Sequence, residues 1–366
     1  MIIDPSAHPS HRDLPPNQIS QIESVFIELT NICNFHCTFC ASDQMKRPLT
    51  MMDKHLAFRI LDQVRDLGLR CNLLFHTMGE PTLHPDLPEI LDYNQRTTGL
   101  LPELVTNGSP ASDRLLDQLK PIRFKQITLS WQTGDPASFA AYRKPGRMNY
   151  AEYLEKISRW MEFIIDQPPP TRLEIDMLVS RYFRLNGIRT IETLRQAKSF
   201  AESVQAMVKA IHLRRGMDWN YPGPVLQRRH LLGNDLVDIH PSMTIRYRPM
   251  HAFAGFSADH PPLCPPRYCH LPFYQAVILA DGRMVLCCLD YDGRVVLGDL
   301  NRHTIREIWL GERALKLRQN FLQAKGLPEI CRICQSAGEM RFHAPFARLR
   351  HWNDRLTRYF RRQIGF

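Results

Sequence analysis

Short apolar runs alternate with longer amphipathic stretches over the first 216 residues of the chain. The runs are bounded by turn-forming residues and predict six strands, at residues 24–30, 72–77, 102–107, 126–131, 172–180 and 210–216. The stretches between them have apolar residues at three- and four-residue spacing and predict helices, at residues 52–68, 86–96, 111–119, 136–143, 150–165 and 187–201. Strands alternating with helices indicate a parallel sheet wound as β/α units, either as an incomplete barrel or as an open sheet.

The alternation stops in residues 222–263, which are rich in Pro, His and Arg and predict a connecting region. Residues 274–290 have an Asp-Gly pair at their centre and are typical of a β-hairpin. Residues 304–324 then return to a helical period. The last segment, 337–366, places apolar residues at helical spacing with arginines between them, which predicts a basic amphipathic helix.

Composition and charge narrow the class of protein. Hydrophobic residues make up 44% and charged residues 23% of the 366 positions, which is typical of a globular protein with a sizeable core. No apolar run is long enough to cross a membrane and the N-terminus lacks the pattern of a secretion signal, so we expect a cytoplasmic protein without a transmembrane segment. In that reducing compartment the ten cysteines favour metal or redox chemistry. The net charge of +10 is mixed along most of the chain, but the last thirty residues are basic and could contact an acidic partner, a nucleic acid or a membrane surface. We favour a helix that packs on the barrel with its arginines in solvent, so a nucleic-acid partner is not expected.

Three cysteines, Cys33, Cys37 and Cys40, follow the first predicted strand in the segment ELTNICNFHCTFC. Thiolates bind zinc, copper(I) and iron–sulfur clusters. Structural zinc takes four ligands, whereas three thiolates around a cubic 4Fe–4S cluster leave one iron open to a substrate or cofactor. The spacing of these cysteines alone leaves a zinc site or incidental thiols as alternatives.

The motif Cys33-x3-Cys37-x2-Cys40, with the aromatic Phe39 before its last cysteine, resembles the signature of the radical S-adenosylmethionine (radical SAM) superfamily. The resemblance implies that the three cysteines hold a 4Fe–4S cluster and that S-adenosylmethionine (SAM) binds its open iron. It also implies that Phe39 belongs to the cofactor site.

The segment HTMGEPTLHPDL, at the end of the second predicted strand, resembles the superfamily's Gly-Gly-Glu-Pro motif. Met78 replaces the first glycine, and Gly79, Glu80 and Pro81 are retained. The resemblance implies a cofactor-binding loop whose backbone binds the methionyl amino group of SAM. Because backbone groups make that contact, the methionine weakens the match little.

Polar residues after the third and fourth predicted strands match further positions of the superfamily. Asn107 ends the third strand, and the segment LSWQTGDPASFAAYRKPG contains Ser130, with Gln132 where an acid is more common. The resemblance implies that Ser130 and Gln132 contact the ribose and methionyl groups and that Arg143 binds the cofactor carboxylate. Ordinary polar residues at strand and helix ends remain the alternative for these three. All these motifs lie at the C-terminal ends of strands, where parallel β/α folds place their sites.

A second set of cysteines, Cys269, Cys287, Cys331 and Cys334, has a spacing that suits a zinc ribbon and a fully ligated iron–sulfur cluster equally well. Beside the first motif, this set and the segment VLGDLNRHTIREIWLG resemble the auxiliary-cluster module called SPASM, or twitch in its one-cluster form. The resemblance implies a second 4Fe–4S cluster that transfers electrons or holds structure. Cys288 competes with Cys287 as a ligand.

Three cysteines are left over. Cys71 precedes a core strand and is interpreted as a small buried apolar residue. Cys264 and Cys288 are candidate catalytic residues. The resemblance to the radical SAM superfamily implies this role, because in some of its epimerases a cysteine donates a hydrogen atom to the substrate radical.

Together the resemblances imply an α/β protein with a partial (β/α)6 TIM barrel, the radical SAM core, followed by a small twitch/SPASM-like module. The predicted divisions are an N-terminal extension (1–21), the core barrel (22–221), the connecting region (222–263), the auxiliary cluster module (264–336) and the basic amphipathic C-terminal helix (337–366).

The implied activity is that of a radical SAM oxidoreductase or epimerase, with SAM and two 4Fe–4S clusters as cofactors. Such an enzyme takes electrons from a reductant such as flavodoxin or ferredoxin, cleaves SAM to a 5′-deoxyadenosyl radical and removes a hydrogen atom from a biosynthetic substrate. One-cluster members act on aminocyclitols, aminosugars and nucleoside sugars, which favours oxidation or epimerisation of a small polar substrate. Epimerisation, crosslinking or excision on a ribosomally made peptide is the alternative substrate class. A non-catalytic iron–sulfur or zinc protein is the alternative of a different class.

Overall fold

The computed structural model describes residues 18–180, 188–227, 230, 236–249, 269, 271–323, 325–332 and 334. Ten strands in this part of the chain form one sheet. In chain order they are β1 (Ser24–Ile27), β2 (Asn72–Leu74), β3 (Pro102–Thr106), β4 (Gln126–Leu129), β5 (Leu173–Val179), β6 (Leu236–His240), β7 (Met243–Pro249), β8 (Gln275–Ile278), β9 (Arg283–Val285) and β10 (Val296–Asp299).

Helices connect most of the strands. They are α1 (Lys54–Asp66), α2 (Leu87–Thr97), α3 (Asp113–Leu119), α4 (Pro136–Ser138), α5 (Tyr150–Ile165), α6 (Leu194–Arg214), α7 (Leu271–Tyr274), α8 (Ile305–Trp309), α9 (Glu312–Gln323) and α10 (Glu329–Arg332). A π-helical turn, Phe139–Arg143, continues α4. Across the described residues, no helix combines the length and the apolar content that a membrane crossing requires.

The sheet order is β10-β9-β8-β1-β2-β3-β4-β5-β7-β6. Strands β1 to β5 and β7 are parallel neighbours, and β8 extends the sheet from β1 in the same direction. The antiparallel strands β6, β9 and β10 lie at its two ends. Six parallel strands with helical connections confirm the predicted α/β class and the partial (β/α)6 barrel. Because β8 pairs with β1, the sheet is continuous from the barrel into the C-terminal module.

The prediction of a strand at residues 210–216 is wrong. These residues form the end of α6 and the turn after it, and Val204, Val208 and Ile211 lie on one buried stripe of that helix. A short apolar run does not by itself distinguish a strand from a buried helix segment. The sixth parallel strand is instead β7, within the residues 222–263 that we predicted to be a connecting region.

The C-terminal hairpin is found as predicted, with β8 and β9 joined through Asp281 and Gly282. The helix predicted over residues 304–324 is divided into α8 and α9 at Gly311. A Cβ at Gly311 would lie 2.7 Å from the carbonyl oxygen of Glu307, so only glycine permits this tight junction. The helix predicted for residues 337–366 lies outside the described residues.

Successive strand residues face opposite sides of the sheet. The outer side packs against the helices and forms the main core, which includes Val25, Leu73, Ile127, Ile175 and Ile245. The inner side lines the barrel and has two different halves. Its apolar half, on β1, β2, β8 and β9, consists of Phe26, Leu74, Val277, Leu279 and Val285.

The charged half of the inner side lies on β5 and β7. Arg246 pairs with Glu174 at 2.9 Å and with Asp176 at 3.1 Å, and Arg248 pairs with Asp176 at 3.0 Å. Burial disfavours the charge of Asp176, but Arg248 and Arg246 outweigh that effect and hold its pKa at about 2. The barrel interior therefore keeps a network of fixed charges at neutral pH.

The carboxylate of Glu28, directly after β1, is completely buried and connects three parts of the chain. It accepts hydrogen bonds from the Arg47 guanidinium at 2.5 and 2.6 Å, from the Met78 amide at 3.0 Å and from the Ala280 amide at 2.9 Å. Arg47 Nε also donates to the Tyr291 carbonyl oxygen at 2.7 Å. This ion pair therefore fixes the loops after β1 and β2 against the C-terminal module.

Replacing Arg47 by methionine should lower the free energy of unfolding by about 3–5 kcal/mol, because the Glu28 carboxylate then stays buried without its counter-charge. Urea unfolding of the two proteins measures this. Arg65→Met is the matched control, since Arg65 pairs with Asp62 on the surface at 2.8 Å and such pairs contribute about 1 kcal/mol or less. Equal losses for the two variants would show that the buried pair has no special weight.

Candidate active site

The three-cysteine loop, residues 31–50, leaves the C-terminal end of β1 and is closed by its own side chains. Asn31 donates from Nδ2 to the Pro48 carbonyl oxygen at 2.8 Å and accepts from the Thr50 amide at 2.7 Å. Within the loop, the Cys40 amide donates to the Cys37 carbonyl oxygen at 2.9 Å. The backbone around the cysteines is therefore held independently of any ligand.

Cys37 is buried and Cys33 and Cys40 are half-buried, and the three thiols lie close enough to affect one another electrostatically. Burial raises the pKa of Cys33 to about 11 and that of Cys37 to about 12, and it also raises the pKa of Cys40. The Arg143 guanidinium opposes the shift at all three. Such thiols ionise at neutral pH only when a bound cation stabilises the thiolates.

A single zinc ion and a cubic iron–sulfur cluster place their thiolate ligands at different separations. In the part of the chain that the structure describes, no group of three or more His, Cys, Asp or Glu side chains is arranged to hold a metal ion. A tetrahedral zinc ion would bring its thiolate sulfurs to about 3.8 Å from each other. An iron–sulfur cluster is larger and takes thiolates that are farther apart.

The loop after β2 contacts the three-cysteine loop at Gly79. Gly79 has φ of +74°, and a Cβ there would lie 2.3 Å from the Thr30 carbonyl oxygen and 2.8 Å from the Ile32 carbonyl oxygen. The Glu80 amide then donates to the Ile32 carbonyl oxygen at 2.8 Å. Glycine is required at this position both by its left-handed backbone and by the close approach of the two loops.

Glu80 joins the loop after β2 to the loop after β3. Its buried carboxylate accepts from Thr82 Oγ1 at 2.5 Å, from Thr106 Oγ1 at 2.7 Å and from the Asn107 amide at 2.6 Å. Burial raises the pKa of Glu80, although these hydrogen bonds oppose the shift. Pro81 begins the short 3-10 turn that follows, Pro81–Leu83.

Asn107 brings the end of β3 to the three-cysteine loop. Its Nδ2 donates to Asn34 Oδ1 at 2.9 Å and lies 3.8 Å from Cys33 Sγ. Its own Oδ1 accepts from the Ser109 amide and hydroxyl at 2.8 and 2.6 Å, and its carbonyl oxygen accepts from the Tyr153 hydroxyl at 2.9 Å. The amide is thus fixed with its nitrogen toward the first cysteine.

Arg143 ends the π-helical turn and is 2% exposed. Its Nη1 donates to Gln132 Oε1, and its guanidinium lies 5.0 Å from the centre of the Phe35 ring. Its Nε and Nη2 have no hydrogen-bond partner among the described residues. A buried guanidinium with two unpaired donors beside three thiols is the arrangement that an anionic ligand would complete.

The remaining residues predicted for the cofactor site, Gln132, Ser130 and Phe39, lie in three different environments. Gln132 has a left-handed backbone, with φ of +66°, which turns its side chain toward Arg143. Ser130 continues the inner side of β4 and donates its amide to the Thr106 carbonyl oxygen at 2.8 Å. Phe39 is buried in the main core.

The cysteines of the C-terminal module lie in two different environments. Cys287 is buried in an apolar cluster against which Cys269 and Cys331 also pack. Cys288 packs instead against the apolar half of the barrel interior. Cys334 is near enough to Cys269, Cys287 and Cys288 to affect their pKa values. The other candidate, at position 264, lies outside the described residues.

Three residues at the site are not predicted from the sequence. Glu28 and Arg47 are missed because their partners are far apart in the chain, although an acid in an otherwise apolar strand is a signal for Glu28. His76, after β2, stacks edge-on to Phe26 at 5.7 Å inside the barrel, and its buried Nδ1 has no hydrogen-bond partner among the described residues. Burial lowers the pKa of His76 to about 3, so this imidazole is neutral.

Comparison with known proteins agrees with this geometry. Residues 27–167 match the model of the radical SAM superfamily. The chain belongs to that superfamily, and its cofactors are SAM and 4Fe–4S clusters. Residues 269–335 match the iron–sulfur cluster-binding domain SPASM. The chain therefore combines a radical SAM domain with a C-terminal SPASM domain.

Several relatives are recognisable. The PqqA peptide cyclase of Xanthomonas axonopodis pv. citri is 33% identical over 142 residues, which cover 38% of this chain and 35% of that protein. The crystal structure of BtrN in complex with AdoMet and 2-DOIA matches with a TM-score of 0.50 at 16% identity, over 86% of this chain and 92% of that one. Streptococcus suis SuiB bound to precursor peptide SuiA matches with a TM-score of 0.51 at 12% identity, over 85% and 72%. At these identities the two structures show a shared fold.

Replacing Gly79 by alanine should destabilise the protein more than the same change at Gly99. Both glycines have positive φ, +74° and +67°, but a Cβ at Gly99 would meet nothing within 4 Å. Gly99→Ala should therefore cost about 1–3 kcal/mol for backbone strain alone, and Gly79→Ala a further 1–3 kcal/mol or so for the steric overlap. Urea unfolding compares them, and equal losses would show that the contact between the loops is not tight.

Proposed function

We propose that this enzyme uses SAM radical chemistry to oxidise or epimerise a small polar biosynthetic substrate. The observation that carries the proposal is the buried Arg143, whose two unpaired donors lie beside the three thiols of Cys33, Cys37 and Cys40. When bound to a reduced 4Fe–4S cluster, SAM supplies a 5′-deoxyadenosyl radical that removes a hydrogen atom from an unactivated C–H bond. The protein's part is to bind, orient and exclude water.

The residues of the first loop fit this cofactor. Cys33, Cys37 and Cys40 would hold the cluster, and no fourth thiol of the described chain belongs to this loop. Asn107, held by its own hydrogen bonds, would donate from Nδ2 toward the first thiolate. Arg143 would pair through Nε and Nη2 with the carboxylate of SAM, which is a bidentate geometry that guanidinium favours.

The second cluster would be held by Cys269, Cys287, Cys331 and Cys334. The packing supports Cys287 as the ligand, because it shares one apolar cluster with Cys269 and Cys331. Cys288 faces the barrel interior and stays available for the substrate. A four-thiolate cluster at this position would accept the electron of an oxidation or return one after an epimerisation.

The barrel interior supports a substrate with both polar and apolar parts. The network of Asp176, Arg246 and Arg248 offers charged partners for polar groups, and Phe26 lies in the opposite, apolar half. Cys288 in that apolar half would be the hydrogen-atom donor of an epimerisation. A one-electron carrier of the flavodoxin or ferredoxin class would supply the electrons.

Peptide modification is the second candidate. Identity of 33% to a PqqA peptide cyclase favours it, although the alignment spans about a third of that relative's length. SuiB, which shares the fold, is bound to a precursor peptide in its structure. The two candidates share the same cofactor chemistry and differ in the substrate that enters the barrel.

Replacing Arg143 by methionine should weaken SAM binding at least about tenfold, because the cofactor carboxylate loses a buried cationic partner. Equilibrium dialysis with the anaerobically reconstituted enzyme measures the affinity, and iron per chain should stay unchanged. The matched control is Arg147→Met, since Arg147 is exposed. Cys40→Ser is the reference variant that lacks the first cluster, and its iron content should fall from about eight to about four atoms per chain. Unchanged SAM affinity in the Arg143 variant would contradict the assignment.

Candidate substrates in deuterated water should yield 5′-deoxyadenosine together with one of two products. Epimerisation adds a solvent deuterium at the inverted carbon, since a thiol exchanges its hydrogen with solvent, and oxidation removes two hydrogen atoms. Mass spectrometry distinguishes them. If the reaction is an epimerisation, Cys288→Ala should suppress deuterium incorporation, whereas Cys71→Ala should not. Turnover of a precursor peptide and of none of the small polar compounds would favour the second candidate.

A further inference from the structure

A surface groove lies against the three-cysteine loop at His36. Its volume is about 420 Å³. One wall is His36, between the first two cysteines of the loop, and the other wall is the π-helical turn with the bend after it. The lining residues are His36, Ala140, Lys144, Pro145, Gly146 and Met148.

The backbone of the groove is bonded directly to the loop that carries the thiols. The His36 amide donates to the Lys144 carbonyl oxygen at 3.3 Å, and the Thr38 amide donates to the Tyr142 carbonyl oxygen at 2.9 Å. His36 and Thr38 are the two neighbours of Cys37. A protein seated in the groove would therefore lie against the residues that flank a cysteine of the proposed cluster.

The charges at the groove are mainly positive. Lys144 and Arg147 are exposed, and neither has an ion-pair partner in the described part of the chain. The nearby carboxylate of Asp43 is within hydrogen-bond distance of His36 Nδ1, at 3.3 Å. Lys144 and Gly146 have left-handed backbones, with φ of +45° and +67°, which define the bend that presents these side chains. The surface thus suits a partner that carries carboxylates.

We propose that this groove is the docking site of the electron donor, a small acidic carrier protein of the flavodoxin or ferredoxin class. The inference rests on the proposed function, which requires single electrons at the three-cysteine site. In the proposed step, the reduced carrier protein transfers one electron to the three-cysteine site. No covalent bond is formed or broken and no proton is transferred. Electron transfer weakens steeply with distance, so a donor must bind where the thiols approach the surface.

Two other sides of the loop are covered by the protein. Arg47 and the neighbouring amide of Lys46 bind the C-terminal module, at the Tyr291 carbonyl oxygen and the Asp292 carboxylate, at 2.7 Å each. The Gly79 segment covers the loop on the barrel side. The groove is on a face of the loop that neither of these contacts covers.

The double variant Lys144→Glu, Arg147→Glu tests the proposal. The rate of 5′-deoxyadenosine formation from SAM is measured with reduced flavodoxin and, separately, with saturating dithionite. We expect the flavodoxin concentration for half-maximal rate to rise about tenfold at low ionic strength and the difference to shrink as salt is added. The dithionite-driven rate should change by less than about twofold, because a small reductant needs no docking surface.

Lys209→Glu is the control, since it reverses the charge of one exposed lysine on α6, away from the groove, and should leave the flavodoxin dependence as in the wild type. Carbodiimide crosslinking of the wild-type holoenzyme to oxidised flavodoxin gives a readout that is independent of turnover, and it should join the Lys144 amine to a flavodoxin carboxylate. The docking site would be overturned if the double variant and the wild type required the same flavodoxin concentration for the half-maximal rate. It would also be overturned if flavodoxin were crosslinked only to residues outside the groove. No 5′-deoxyadenosine from the wild type with dithionite would instead overturn the proposed function, and the docking site with it.

Discussion

Glu28 and Arg47 form the contact on which the rest of the site depends. Their ion pair is completely enclosed, and the remaining carboxylate lone pairs accept the amides of Met78 and Ala280. Removing two charges from water costs much of the energy that their attraction returns, so the pair is a weak source of net stability. Its geometry is nonetheless restrictive. A bidentate guanidinium with two backbone amides has one good arrangement, and that arrangement positions the three-cysteine loop, the Gly-Glu-Pro loop and the SPASM domain together.

The loop after β2 is consequently held from both sides. Met78 donates its amide to Glu28, and two residues later Glu80 accepts the amide of Asn107. Gly79, between them, packs directly on the backbone of the three-cysteine loop. Both oxygens of the Glu80 carboxylate thus accept hydrogen bonds inside the protein, whereas two donors of Arg143 have no partner in the part of the chain that the structure describes. That contrast distinguishes the residues that build the site from Arg143, the residue that we propose binds the cofactor.

The features that the sequence predicts are local ones. Strand and helix periods indicate the partial barrel, and short motifs indicate the cysteine and Gly-Glu-Pro loops, because each depends on residues close together in the chain. The ion pair between Glu28 and Arg47 also involves Ala280, whose position follows only from the pairing of β8 with β1. The strand predicted at residues 210–216 fails for a related reason, since the packing of α6 decides between helix and strand. Likewise the left-handed turn at Gln132 is set by tertiary contacts.

The barrel interior has an apolar half and a charged half, and this division limits how a substrate of the proposed reaction can be oriented. A radical that removes unactivated hydrogen atoms must be kept from water and from other C–H bonds, which favours an apolar wall near the target carbon. Orientation of the substrate needs polar partners at a fixed distance from that carbon, and the pair of Asp176 and Arg248 supplies rigid ones on the opposite strands. His76 lies in this interior as a neutral imidazole, and its Nδ1 has no hydrogen-bond partner among the residues that the structure describes. A substrate whose hydroxyl or amino groups meet the charged half, with its reactive carbon toward Cys288, satisfies both requirements at once.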